Sequence, residues 1–469
     1  MTTECNQQSF EFHGLNQRKV IGRFDGGSIT SDAGILLLRE VEKRTGLIAS
    51  LAHCFRDYRD QRWVEHTIEE LLGQRLFGFC LGYEDLNDHD QLRTDPMLAV
   101  AVGKADPLGM NRLREEDRGK ALAGKSTLNR LELGKAGEID KYKKILMQES
   151  QIDAWIVRAF LDAHVAVPEE IVLDLDATDD LIHGNQEGKF FHGYYGNYCY
   201  LPLYIFSGEH LLCARLRRSN IDGAEGAVEE LTRIVAQIRQ AWPEVKIIIR
   251  ADSGFCREDL MAWCEANQID YVLGLAKNER LKKEIAEPLQ QAEAQFGQTQ
   301  QAARVFKDFR YQTLKSWSRE RRVVGKAEWM EKGANPRFVV TSLLPERMDA
   351  RAVYEDFYCA RGDMENRIKE QQLDMFADRT SAATMRANQL RLYLSSAAYI
   401  LMHALRRLGL KNTDLAHAQC QTIRLKLLKI GAQVRVTVRH IWVSLAGGYP
   451  YADTFAAVVG NLQALPLRC

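Results

Sequence analysis

Hydrophobic positions recur at helical spacing in two stretches near the start of the chain, residues 31–48 (SDAGILLLREVEKRTGLI) and 64–82 (VEHTIEELLGQRLFGFCLG). Charged connections, RDYRDQR from Arg56 to Arg62 and EDLNDHDQLRTD from Glu84 to Asp95, separate the helical stretches, so the first third predicts a small helical domain. From about residue 170 the period changes. IVLDLDAT, KFFHGYYGNYCYLPLYIF and HLLCARLRR are β-rich runs broken by Gly, Asn or Asp, the pattern of an antiparallel meander. GAEGAVEELTRIVAQIRQAW then returns to helical spacing, VKIIIRAD reads as a buried strand, REDLMAWCEANQ as a helix and DYVLGLA as a further strand. The expected order is β-β-β-α-β-α-β.

Residues 289–303 are rich in glutamine and alanine, and residues 304–344 alternate, as in RVFKDFRYQTL and RFVVTSLL, which predicts a β-rich insertion. The last third is helical, with RANQLRLYLSSAAYILMHALRRLG long and amphipathic. The expected class is therefore α/β: a helical domain over residues 1–165, a core over 166–285 and 346–469, and the β insertion over 286–345 between its two parts.

Composition narrows the picture without deciding it. With 46% hydrophobic and 27% charged residues over 469 positions, the chain can bury sizeable cores and is neither disordered nor fibrous. Basic and acidic residues balance at 63 each, so any argument for a nucleic-acid partner has to be local. The ten cysteines form no C-x-x-C pair and no zinc spacing, which predicts reduced thiols in a cytosol. No signal-peptide design and no apolar run long enough to span a bilayer is visible, so no membrane association is expected.

Residues 119–126, GKALAGKS, match the phosphate-loop pattern through Gly119, Gly124, Lys125 and Ser126. A phosphate loop follows a buried strand, and NRLREEDR is too charged to be one. Lys125 and Ser126 read instead as the start of a helix, and an ATPase stays the second hypothesis.

The chemistry concentrates in carboxylates. Asp174 and Asp176 lie two apart in IVLDLDAT, hence on one face of an otherwise hydrophobic strand, where a charge needs a partner or a cation. Asp252 ends VKIIIRAD at a strand's carboxyl end, where open α/β sheets place their sites, although Asp–Ser–Gly junctions are also ordinary turns. In YCARGDMENRIKEQ, Tyr358, Arg361, Glu365 and Lys369 share one helical stripe, which alone would pass for a solvated salt-bridge ladder. Together, two strand aspartates and a helix glutamate can hold two hard cations about 4 Å apart for in-line attack on a phosphate. Oxygen donors without histidine or cysteine point to Mg²⁺ or Mn²⁺.

The order D-x-T on one strand, Asp on a later strand and Y-x-x-R-x-x-x-E on a helix resembles bacterial insertion-sequence transposases of the DDE type. LDLDATDD, HGNQEGKFFHGYYGNYCYLPLYIF, RADSGF and TIRLKLLKIGAQVRV are similar to the insertion sequence 1380 group, a resemblance covering most of residues 20–450. It implies an RNase H-like mixed sheet with a β insertion, a helical N-terminal domain that binds transposon ends, and cleavage and strand transfer on double-stranded DNA by a homodimer in a synaptic complex. It also implies a bacterial cytoplasmic enzyme, associated with the nucleoid when bound to DNA. Carried over by position, Asp176, Asp252 and Glu365 become catalytic ligands of two Mg²⁺ or Mn²⁺ ions, with Asp174 the rival for the first place, and Tyr358 and Arg361 become phosphate-positioning residues. Related enzymes carry a lysine seven residues beyond the glutamate. Here that position is Gln372, and Lys369, the nearest lysine, is the candidate to contact DNA in its place.

Local charge supplies a DNA surface. From Arg386 to Arg439 ten basic residues face one acidic residue, Asp414, and Arg424, Lys426, Lys429, Arg435 and Arg439 alternate with apolar positions. The insertion adds Arg319, Arg321 and Arg322 near Phe306, Phe309, Tyr311 and Trp317, a mixture suited to phosphates and unstacked bases or to a small core of its own. His183 and His192, nine apart across a turn, are assigned no metal. A nuclease without strand transfer and a DNA-binding protein with a dead acidic site are the rival readings.

Overall fold

The computed structural model describes residues 9–134 and 142–467, so Cys5 and Cys469 lie outside it. The other eight cysteines are free thiols. Contacts divide the chain into two compact units, Met1–Met147 with Ala397–Cys469, and Gln148–Ser396. No helix among the described residues is long and apolar enough to cross a membrane.

The second unit is built on a nine-stranded mixed sheet. Its strands are β1 (Glu170–Ala177), β2 (Leu203–Ser207), β3 (His210–Arg215), β4 (Lys246–Ala251), β5 (Asp270–Leu275), β6 (Ala303–Tyr311), β7 (Arg321–Met330), β8 (Gly333–Ala334) and β9 (Arg337–Thr341). They lie in the order β3-β2-β1-β4-β5-β9-β7-β6, with β8 paired to β7. β1, β4 and β5 are mutually parallel, and the remaining pairings are antiparallel. The meander and the α/β alternation therefore form as the periodicity predicts.

The parallel strands are buried on both faces, as their near-continuous apolar runs require. On one face Leu173, Leu175, Ile247, Ile249 and Leu273 pack with helices Glu149–Asp162, Ala227–Ala241 and Glu258–Ala266. Each such side chain contributes roughly 1.5–3 kcal/mol on burial. On the other face Ile248, Val272, Val324 and Val339 pack with Val353 and Tyr354, at the start of the helical run that carries the glutamate. Asp174 and Arg250 alternate onto this second face.

Residues 286–345 differ from the expected insertion. They begin with a helix, Ala286–Thr299, and their strands extend the same sheet through the pairing of β9 with β5. Alternation along a sequence identifies a strand but not its neighbour, which is why the continuity was not visible. β7 lies between β6 and β9, so its cations are internal: Arg321 is paired with Glu258 and Glu265, and Arg322 with Asp308.

The first unit joins helices Ile35–Thr45, Ile68–Leu81 and Lys125–Glu132 to a three-stranded sheet in which Ala432–Val436 pairs with Ile29–Thr30 and Ile441–Leu445. Thr67 and Glu70 close a capping box at the start of Ile68–Leu81. At its other end Arg424 donates to the carbonyls of Cys80 and Phe79, at 2.7 and 3.1 Å, groups that a helix terminus leaves open. The basic C-terminal segment thus packs on N-terminal helices rather than within the sheet unit where it was expected.

Candidate active site

Alternation puts Asp174 and Asp176 on the same face of β1, but their surroundings differ. Arg250 lies opposite Asp174 in the parallel β1–β4 register and donates to both its carboxylate oxygens, at 2.5 and 2.8 Å. Asp176, at the carboxyl end of β1, accepts from Ala177 N–H at 2.9 Å and lies 3.6 Å from Arg361. Asp252 follows the last residue of β4 and accepts from Gly254 N–H at 2.8 Å, an Asx turn that fixes the carboxylate beyond the strand.

The third carboxylate comes from the helical run Ala352–Asp374, which is not a regular α-helix. Wide π turns at Ala352–Tyr358 and Glu370–Asp374 flank the α-helical Gly362–Lys369. Such turns are rare and recur at functional sites. The run is fastened to the sheet by Arg250, which donates to Phe357 O at 2.6 Å. Arg361 then reaches Glu365 at 2.7 Å, so one guanidinium stands between Asp176 and Glu365.

Tyr358 completes the group. A Cβ on Gly274 in β5 would stand 2.5 Å from Tyr358 Oη and 2.8 Å from Ser253 N, so only glycine lets the phenol approach the turn after Asp252. Burial raises the Tyr358 hydroxyl, the Arg361 charge lowers it and Asp252 raises it again. Burial opposes the charge of Arg361, yet Asp176, Tyr358, Glu365 and Asp252 outweigh it and hold its pKa above the usual value. Asp176 is pushed up to about 6, first by burial and then, against Arg361, by Asp252 and Glu365. Side chains predicted from three separate segments thus meet here, and the charges around Arg361 come from all three. Lys369 is exposed, and Gln372 donates to Asp179 O at 3.1 Å.

The profile of the family described as transposase DDE domain group 1 matches residues 12–467. The chain belongs to this family. It is thus an enzyme of the DDE transposase class, whose members work with divalent metal ions. Among solved structures, a piggyBac transposase synaptic complex with hairpin DNA is similar at 11% identity, over 85% of this chain and 80% of that one, with a TM-score of 0.39. No match is found among curated protein sequences.

The carboxylates Asp176, Asp252 and Glu365 would suit a hard divalent cation in kind, as oxygen donors, with Asp176 unfavourable as an anion first through burial and then through the charge of the other two. Among the described residues no three such side chains are already gathered around an ion position. Arg361 lies between two of these carboxylates, 3.6 Å from Asp176 and 2.7 Å from Glu365.

The residues expected on DNA separate into two sets. Arg321, Arg322 and Arg424 are buried, which corrects their assignment as phosphate contacts. Their guanidiniums serve carboxylates and carbonyls inside the fold, and a phosphate could reach them only after those bonds broke. Lys429 is half-buried and paired with Asp32 at 2.7 Å, and Lys426 lies over the Tyr451 ring at 5.2 Å. Arg435 and Arg439 are exposed, as is Arg319, which also pairs with Glu265. Trp317 is buried edge-on against Tyr311 and faces Arg321, and both rings belong to the core of the nine-stranded sheet rather than to a small core of the insertion's own.

The phosphate-loop match is a helix start. Lys125 N–H donates to Asp90 at 2.9 Å, and a Cβ on Gly124 would meet Arg93 at 2.7 Å and Asp90 at 3.0 Å. A carboxylate already occupies the position where a nucleotide phosphate would have to sit. His183 is exposed, and His192 packs on Tyr195 with ring centroids 4.9 Å apart.

Proposed function

We propose that this enzyme binds the terminal inverted repeats of a mobile element of the insertion sequence 1380 kind and cuts and joins them to target DNA, with Asp176, Asp252 and Glu365 as ligands of two Mg²⁺ or Mn²⁺ ions. The observation that carries this reading is the difference between two aspartates on one strand face. Asp174 has both oxygens taken by Arg250, whereas Asp176 shares its surroundings with Asp252, Glu365, Tyr358 and Arg361. The three parallel strands with their antiparallel extension form the RNase H-like core of this reading.

When bound, the ions supply Lewis acidity at the phosphate and an activated water or 3′ hydroxyl. The chain supplies the rest. Asp176 is ionised above a pH of about 6 and is then a ligand rather than a hydrogen-bond donor. Arg361 has a planar fork suited to two phosphate oxygens, so a DNA phosphate competes for the guanidinium that bridges Asp176 and Glu365. Tyr358, beside the Asp252 turn, adds a neutral hydroxyl donor. The partners are double-stranded DNA ends, target DNA and a second copy of the chain in the synaptic complex.

The test is Mg²⁺-dependent cutting and joining of labelled DNA carrying the gene's own flanking ends. Asp176→Ala, Asp252→Ala and Glu365→Ala should each bind the ends and lose both products, while Asp174→Asn retains measurable cutting. Variants that cut like wild type place the active site elsewhere, and cutting without joined product reduces the enzyme to a nuclease.

A further inference from the structure

Between β1 and β2 the chain forms a small three-stranded sheet in which Asn197–Tyr200 pairs with Phe190–His192 on one side and Asp180–Leu181 on the other. This hairpin concentrates exposed aromatic rings: Phe190 is 36% exposed, Phe191 57%, Tyr194 87% and Tyr198 50%. Phe191 and Tyr198 are cross-strand partners with centroids 5.5 Å apart at 73°, and Lys189 stands over Tyr198 at 4.7 Å. Cross-strand partners project from one face of a ribbon, so this pair presents ring surface to solvent beside a cation.

The hairpin is rooted at the acidic group. Tyr195 donates its hydroxyl to Ala177 O at 3.3 Å, and Ala177 in turn donates its N–H to Asp176 at 2.9 Å. The Tyr195 hydroxyl is pushed up to about 12, first by burial and then by the charges of Asp179 and Asp176. The hairpin that bears the exposed rings is therefore linked through Tyr195 and Ala177 to the carboxylate at which a scissile phosphate would be held.

We propose that the aromatic face of this hairpin stacks unpaired DNA bases next to the scissile phosphate. The inference rests on the functional reading above. Aromatic rings beside a cation suit nucleobases, whose π-faces stack in any sequence while the cation meets the backbone. The face carries Lys189 against its two rings, whereas His192 and Asn197 alternate to the other side of the ribbon, and a cation set on the rings distinguishes it from the apolar centre of a subunit interface. The base-stacking role that the sequence suggested for Trp317, which is buried, thus belongs to Phe191 and Tyr198.

The experiment uses the full chain without added metal, so that DNA is bound but not cut. The probes are two short duplexes of the gene's flanking end, one blunt and one with a single-stranded tail carrying 2-aminopurine. Wild type should quench the 2-aminopurine and bind the tailed probe about tenfold more tightly than the blunt one. Phe191→Leu with Tyr198→Leu should abolish quenching and the tenfold preference, and Tyr198→Phe, which keeps the ring, should retain both. Leucine variants that behave as wild type, or a wild type indifferent to the tail, overturn the proposal. So does a leucine variant that binds DNA normally but has lost self-association in sedimentation, because the face then belongs to a second copy. Cleavage is not read in this assay, so stacking can fail while the carboxylate assignment stands, and the reverse.

Discussion

Arg250 and Asp174 are opposed across the parallel β1–β4 pair, and the guanidinium that closes on both carboxylate oxygens also holds Phe357 O, tying the glutamate-bearing helix to the sheet. The pair is buried on both sides, so removing one partner leaves an uncompensated group. Arg250→Ala should destabilise the protein by about 3–5 kcal/mol, read as a lower denaturant midpoint, whereas Asp176→Ala should not lower the midpoint at all. A well-folded Arg250→Ala with a normal midpoint would remove the structural role given to this pair.

Asp176 gives a pH dependence of opposite sign to that of an ordinary ion-paired carboxylate. Its folded pKa, about 6, lies above its unfolded value, so between these limits the native state holds a proton that the unfolded state has lost. Stability of the metal-free protein then falls as pH rises through this window, by on the order of 2–3 kcal/mol from this group. Asp176→Asn should match wild type near pH ~4 and exceed its stability by that amount near pH ~7, when midpoints are compared without divalent ions. A variant that is less stable than wild type at the higher pH contradicts the burial and charge repulsion assigned to Asp176.

Gly274 tests how closely the tyrosine must approach. Since a Cβ there would collide with Tyr358 Oη and Ser253 N, Gly274→Ala forces the phenol and the Asp252 turn apart. A displacement of about 1 Å near reacting groups costs roughly 10²-fold in rate. Cleavage by Gly274→Ala should fall by about that factor with DNA affinity unchanged, and a parallel loss of DNA affinity would instead indicate a wider distortion of the sheet.

Much of this arrangement was legible in the sequence, for identifiable reasons. VKIIIRAD and IVLDLDAT have the apolar continuity that strands buried on two faces require, and the helical run shows its stripe through Tyr358, Arg361 and Glu365. What was not legible depends on registers and partners. Alternation places Asp174 and Asp176 on one face but cannot say which of them meets Arg250, and spacing alone hides the π turns on either side of Glu365. Gly274 looks like any strand glycine until Tyr358 is placed over it. The basic residues misled most: Arg321 and Arg424 read as surface cations because their partners, Glu258, Glu265 and the carbonyl ends of Ile68–Leu81, are distant in sequence.

That distinction between surface and interior cations yields a measurement on DNA. Each phosphate contact contributes about 0.9 to the slope of log affinity against log salt on duplex DNA. Arg435 and Arg439 are exposed on strand Ala432–Val436 and in the turn after it, so replacing either by alanine should reduce that slope by about one without altering stability. Arg424→Ala should leave the slope unchanged and lower the unfolding midpoint, because its lost bonds are to Cys80 O and Phe79 O. Arg321→Ala should behave in the same way, since Glu258 and Glu265 each lose their buried guanidinium partner. If Arg424→Ala flattens the salt dependence as much as Arg435→Ala while the protein stays equally stable, the buried guanidinium is reaching phosphate after all, and the packing of the basic segment changes when DNA binds.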